Sequence, residues 1–167
     1  MARTEKTVKI PLSEPLISGN EWKYVKDCLD TGWVSSAGEY VNKFEKMTAD
    51  YVGAKYAVAV VNGTAALHLS LTAAGVQPED EVIVPALTFI APVNTVRYCG
   101  AEPVFMDCDP DTLCMDVQKL ADFLKKECRQ GRDGYLYNKK SKRRIKAIIP
   151  VHIFGHPADM DELLEIC

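Results

Sequence analysis

Apolar side chains recur along this chain with two different periods. Over residues 18–53 the spacing is helical. Ser18-Gly19-Asn20-Glu21 has the form of a capping box, with Ser18 as the cap and Glu21 reaching back. Trp22, Val25 and Leu29 then share one face, Lys23, Lys26 and Asp30 share another, and Gly32 is placed to end the helix. A loop of small residues with one indole, Trp33, leads to a second helix from about Glu39 to Tyr51. It carries Val41, Phe44, Met47 and Tyr51 at helical spacing, and Gly53 stops it. Trp33 reads equally as an anchor at a site or as a lid over the core.

From Lys55 short apolar runs alternate with helical patterns. Strands are predicted over 56–61, 81–85, 102–107 and 146–151, and helices over 64–74, 91–99 and 116–128. A further helix begins at Asp159 and stops after about two turns, so the chain reads as a fragment of a longer protein. Strands alternating with long helices predict an α/β fold, a mostly parallel sheet covered by helices on both faces. The expected division is a helical segment over 1–55 and an α/β domain over 56–167. Residues 129–144 are polar and basic, with Tyr135 and Tyr137 flanking Leu136. A solvated surface hairpin with Asn138 near its turn is the plain reading, and a patch for a nucleotide diphosphate or RNA is the other.

The organising stretch is VAVVNGTAALHLSL, residues 58–71. An apolar run breaks at Asn62-Gly63-Thr64 and resumes as a helix. Helix starts leave backbone N–H groups without partners and carry partial positive charge, so this turn suits a phosphate. The alternative is that Asn62 simply caps the helix.

Composition narrows the classes. Charged residues are 26% of the chain with a net charge of −3, which argues against a nucleic-acid footprint. No apolar run has the length of a membrane span, and MARTEKTVKIPL has no apolar leader core, so the cytoplasm is the default location. The six cysteines form no C-x-x-C pair and sit among apolar neighbours, which favours buried thiols over a zinc site or disulfides.

In an open α/β sheet, ligands bind beyond the carboxyl ends of the strands. Three loops fall there: 62–64, 85–89 and 152–156. They offer backbone donors, the ring of Phe89, and the imidazoles of His152 and His156. Phe89 reads either as a platform for a planar ring or as core. The two histidines have no third ligand nearby, so no metal site is expected. His68 lies among leucines and reads as a core histidine. Neither a Ser/His/Asp set nor a G-x-G-x-x-G is present.

Taken in order, these blocks resemble the DegT/DnrJ/EryC1/StrS family of pyridoxal-phosphate-dependent sugar aminotransferases. The blocks are Gly32-Trp33-Val34-Ser35 before Phe44-Glu45, then Asn62-Gly63-Thr64-Ala65-Ala66-Leu67, then Asp80-Glu81-Val82-Ile83-Val84-Pro85. Thr88-Phe89-Ile90-Ala91, Gly100-Ala101-Glu102-Pro103-Val104-Phe105-Met106-Asp107 and Pro150-Val151-His152 with Gly155 follow. Pro11-Leu12, the segment 19–22 and the basic insert resemble the LegC-type branch.

The resemblance implies a partial fold-type-I large domain. It places the cofactor phosphate on the amides of Gly63, Thr64 and Ala65, the cofactor ring on Phe89, and the sugar near Trp33 and Ser35. It implies a homodimer that moves an amino group, with glutamate as donor, to a nucleotide-linked keto-deoxysugar. The lysine that carries the cofactor in this family has no counterpart here, because Lys139, Lys140, Lys142 and Lys146 belong to the basic insert and its strand. No catalytic residue is therefore assigned, and the chain alone is expected to be inactive and aggregation-prone. A deoxysugar dehydratase of the same fold and a truncated, non-catalytic binding module are the alternatives.

Overall fold

The computed structural model describes residues 10, 11 and 13–167. The readings made on residues 1–9 and on Leu12, namely the missing leader core and part of the Pro11-Leu12 block, lie outside the described residues. The chain divides into two compact units, residues 1–59 and 60–167.

The N-terminal unit holds α1 (Glu21–Thr31) and α2 (Glu39–Val52). The cap of α1 is Asn20 and not Ser18, and no side chain bonds to the helix start. The Glu21 carboxylate does reach back, but it accepts from the Gly19 N–H at 2.8 Å. Gly53 stops α2 in the left-handed conformation (φ 70°), and its N–H returns to the Ala49 carbonyl. Tyr24 and Tyr40 pack with ring centroids 5.0 Å apart, and the Tyr40 hydroxyl donates to Asp27 at 3.0 Å.

The second unit is the α/β body. Its elements are α3 (Gly63–Ala73), β1 (Glu81–Pro85), α4 (Ile90–Tyr98), β2 (Glu102–Met106), α5 (Val117–Glu127), β3 (Cys128–Gln130), β4 (Leu136–Asn138), β5 (Arg144–Ile148) and α6 (Met160–Ile166). The strands form one sheet in the order β2-β1-β5-β4-β3. β1 runs parallel to β2 and β5, while β4 is antiparallel to both β5 and β3. The sheet is thus mixed, with a parallel centre.

The two-residue period of β1 divides the core. Val82 and Val84 face Leu71 and Val96 of α3 and α4, and Ile83 faces Met115, Leu120 and Leu163 on the α5–α6 side. All three β1 side chains are fully buried. That is the signature of a central strand covered on both faces.

One predicted strand is corrected. Residues 56–61 do not form a strand, although they carry the valines of one. A strand needs a partner for its row of N–H and C=O groups, and among the described residues none pairs with it. Tyr56, Val58 and Val61 are all more than three-quarters exposed.

The basic insert is the hairpin expected, β3 against β4 with most of its residues exposed, and it is also joined to the sheet. Its β4 joins β5 through Leu136↔Ile145 and Tyr137↔Arg144. Asn138 lies at the second turn, where its side-chain oxygen accepts from the Lys140 N–H and its amide donates to Glu81 at 2.9 Å. Arg144 grips Asp80 with two bonds, 2.8 and 2.6 Å, and Arg143 reaches Glu79 and Glu102.

Candidate functional site

The parallel pairing puts the carboxyl ends of β1, β2 and β5 on one edge of the sheet. Helix directions follow from span. An eleven-residue helix is about 16 Å long, close to the length of a five-residue strand. The C-terminal end of α3 sits at the amino edge, since residues 74–80 lead from it in a short turn, closed by the Gln77 N–H on Asp80, into the start of β1. Its N-terminus at Gly63 therefore lies at the carboxyl edge, as does the start of α4 immediately after β1. α3 and α4 pack side by side through Leu67, Leu71, Val93 and Val96.

At the start of α3, Asn62 is extended and its Oδ1 accepts from the Ala65 N–H at 2.9 Å, while its carbonyl accepts from Ala66. The capping reading of Asn62 is correct, and it does not displace the phosphate reading. The amides of Gly63 and Thr64 have no protein acceptor among the described residues, so these two remain available. That of Ala65 is engaged by the cap. A Cβ built on Gly63 would meet nothing within 4 Å. Gly63 is exposed, with room for a group to approach its backbone.

Phe89 is 78% exposed and stands at the N-cap of α4, which excludes the core reading. Beside it the Thr88 hydroxyl oxygen is buried with no hydrogen-bond partner. Thr88 is the residue that sequence reasoning left without a role. The available signal was a hydroxyl placed between a strand end and an exposed aromatic.

On the neighbouring loop, His152 Nδ1 accepts from the Ala158 N–H at 3.0 Å. The turn beyond it holds Phe154 in the left-handed region at φ 52°, a conformation that costs a non-glycine residue about 1 kcal/mol or more. His156 is exposed; its N–H donates to the Ile153 carbonyl and its carbonyl accepts from the Cys114 thiol. His68 is half-buried, edge-on to Tyr98 at 5.8 Å.

At the end of β2, Asp107 is held below the usual carboxylate range, first by the hydrogen bond from Lys119 and then by the Cys108 N–H. Lys119 is raised in turn by Asp107 and stays charged. It is no neutral amine nucleophile.

Trp33 and Ser35 belong to the N-terminal unit. Trp33 lines a cavity of about 570 Å³ with Asp27, Thr31, Glu39 and Tyr40. Ser35 is exposed and lies outside that lining.

Comparison with known proteins gives a consistent set of likenesses. The DegT/DnrJ/EryC1/StrS aminotransferase family matches residues 15–167. A GDP-perosamine synthase of Caulobacter vibrioides is 46% identical over 158 residues, covering 95% of this chain and 38% of that protein. An aminotransferase structure from Psychrobacter cryohalolentis superposes with a TM-score of 0.75 at 32% identity, over 93% of this chain and 36% of that one. A GDP-4-keto-6-deoxymannose-3-dehydratase structure, holding a trapped PLP–glutamate geminal diamine, has a TM-score of 0.74 at 28% identity. It covers 95% of this chain and 38% of the other. The chain therefore spans a little over a third of the length of the proteins it matches.

Proposed function

Because the chain belongs to the DegT/DnrJ/EryC1/StrS aminotransferase family, we propose that it is the N-terminal part of a pyridoxal-phosphate-dependent aminotransferase acting on a nucleotide-linked keto-deoxysugar, with glutamate as donor. The observation that carries this reading is the start of α3. Two amides without a partner among the described residues, Gly63 and Thr64, stand on the edge shared with the exposed ring of Phe89. Phosphate fits there because oriented N–H dipoles stabilise an anion without a counter-charge. Ala65 enters the phosphate set only if Asn62 releases its amide, so the first two amides are the primary donors.

When bound, pyridoxal phosphate supplies the electron sink for amino-group transfer. The residues of this chain hold and orient it. Gly63 and Thr64 fix the phosphate, and Phe89 supports one face of the ring. The similarity to GDP-perosamine synthases makes a GDP-linked keto-sugar the first substrate to try. A homodimer in the cytoplasm is part of the proposal. Among the described residues no helix is long and apolar enough to cross a membrane. A deoxysugar dehydratase of the same fold is the second reading, favoured by the likeness to the 3-dehydratase.

Four lysines among the described residues are engaged by other groups. Lys119 is paired with Asp107, Lys139 and Lys142 donate to backbone carbonyls, and Lys146 lies over the Tyr135 ring. The expected result is that the 167-residue chain binds pyridoxamine 5′-phosphate but turns over no glutamate and GDP-linked keto-sugar. Calorimetric titration tests the first and a coupled turnover assay the second. Absence of binding by the folded chain refutes the cofactor reading.

A further inference from the structure

Residues 122–146 hold ten of the chain's 20 lysines and arginines and three of its 23 aspartates and glutamates. The segment is therefore +7, in a chain whose remainder is −10. The fold gathers this excess at one place. The Asn138 amide donates to Glu81, the first residue of β1, and the Lys139 N–H donates to the carbonyl of Glu127 at the end of α5. The turn 138–143 and the last turn of α5 thus meet at the amino edge of the sheet. The start of α3 and Phe89 stand at the opposite edge.

The acids of this edge are already neutralised. Glu79, Asp80 and Glu102 pair with Arg143 and Arg144, and Asp122 pairs with Lys126. Lys139 and Lys142 donate to the carbonyls of Lys126 and Lys139, which satisfies their N–H groups without cancelling their charge. Lys125, Arg129 and Lys140 are exposed, with no carboxylate partner among the described residues. Glu127 is the one exposed carboxylate left between them.

We propose that this face docks on an anionic lipid surface, with the insert and the end of α5 against the headgroups. Clustered cations attract such a surface, while the −10 remainder is repelled, so one orientation is favoured. The amino edge faces the lipid and the carboxyl edge faces water. The aromatic residues of the insert argue against a single-stranded nucleic acid, which needs free rings for its bases. The Tyr135 ring lies under Arg144 at 4.9 Å and Lys146 at 5.5 Å, and the Tyr137 hydroxyl donates to Asp133 at 2.6 Å. Arg143 and Arg144, whose forked groups suit a fixed phosphate, are used within the fold. The charges left over are mostly lysines, point charges that suit mobile headgroups.

The test is flotation of the 167-residue chain with vesicles of phosphatidylcholine alone and of phosphatidylcholine with phosphatidylglycerol in a two-to-one ratio. Single-stranded polyuridylate, titrated by fluorescence anisotropy in the same buffer, is the competing probe. One variant combines Lys125→Gln, Arg129→Gln and Lys140→Gln, whose side chains hold no other element in place. A second combines Lys23→Gln, Lys43→Gln and Lys55→Gln, which removes the same charge from the N-terminal unit. Thermal melts confirm that each is folded.

Wild type should float with the anionic vesicles in low salt and not with phosphatidylcholine alone. It should be released at about 1 M salt, where the screening length is about 3 Å. Each surface cation is worth about fivefold in partitioning, so the first variant should lose about a hundredfold and the second little. No flotation of wild type, or equal losses in the two variants, overturns the proposal. Tighter binding to polyuridylate than to the vesicles also overturns it, in favour of a nucleic acid. None of these results bears on the cofactor reading, which concerns the other edge.

Discussion

Replacing Asn62 separates two properties of the α3 start that coincide in the native side chain. Its Oδ1 caps the helix through Ala65, and it lies one residue before the amides proposed to hold phosphate. Asn62→Ala removes the cap and should cost about 1 kcal/mol, or roughly 4–8 °C in melting temperature for a unit of this size. Asn62→Asp keeps an equivalent cap, and the added charge favours the helix start, so its melting temperature should equal or exceed that of wild type.

Phosphate binding should respond in the opposite order. Hydrogen-bond lengths put a carboxylate on Ala65 and a phosphorus on Gly63 and Thr64 about 5 Å apart. In water, a charge pair at that distance repels by about 0.8 kcal/mol, and a dianion doubles this to about 1.7 kcal/mol. Affinity for phosphate should therefore fall roughly fifteenfold in low salt. Screening over a Debye length of about 8 Å halves the energy at 0.15 M, leaving roughly fivefold. Titration of phosphate and of pyridoxamine 5′-phosphate at two ionic strengths, alongside thermal melts, reads both properties. If Asn62→Asp binds phosphate as tightly as wild type in low salt, the anion is not held at this helix start.

Further expectations concern the ring platform and the supports of the sheet. Phe89→Ala should weaken pyridoxamine 5′-phosphate binding about fivefold by calorimetry. Its melting temperature should not move, since the ring is mostly exposed. Asp80→Asn leaves Arg144 without its partner at a site where the two side chains are 7% and 21% exposed, and it should cost about 2 kcal/mol or more in urea unfolding. Burial opposes ionisation of Asp80, but Arg144 and the Gln77 N–H outweigh it and hold its carboxyl below the usual range. Its stabilisation is therefore full above about pH 4 and is lost as pH falls through the lowered folded-state value. Asp80→Asn should accordingly flatten the acid limb of the stability profile. Gly100 sits at φ 72° with a built Cβ 3.2 Å from that of Pro78, so Gly100→Ala should destabilise by about 1–2 kcal/mol.

The parallel centre of the sheet was legible because each strand is a short Val/Ile run between helical patterns, and such runs have few other places to go. The turn at Asn62-Gly63-Thr64 was legible for a related reason, since a helix start is specified within four residues. What failed depended on distant partners. Residues 56–61 have the composition of a strand, but composition provides no neighbouring edge. Arg143 and Arg144 at the end of the insert looked solvated because Glu79, Asp80 and Glu102, which pair with them, lie 41–64 residues away in sequence. The choice between Ser18 and Asn20 as cap was local but finely balanced, since both are good capping residues. The anchoring of His152 by a backbone amide six residues later leaves no pattern to read at all.

The same separation of partners bears on the order in which the α/β body assembles. Glu81 finds Glu102 by closing a loop of 21 residues, and it finds Ile145 by closing one of 64. The longer closure costs about 1 kcal/mol more in chain entropy. The β1–α4–β2 unit is thus the cheaper nucleus, and β5 docks onto a pair already formed. The Arg144–Asp80 clasp closes a loop of the same length as the β1–β5 pairing and belongs to that late step. Its removal should act through faster unfolding, with the rate of folding nearly unchanged. The clasp thus works as a latch on the lifetime of the assembled sheet, fastened after the centre has formed.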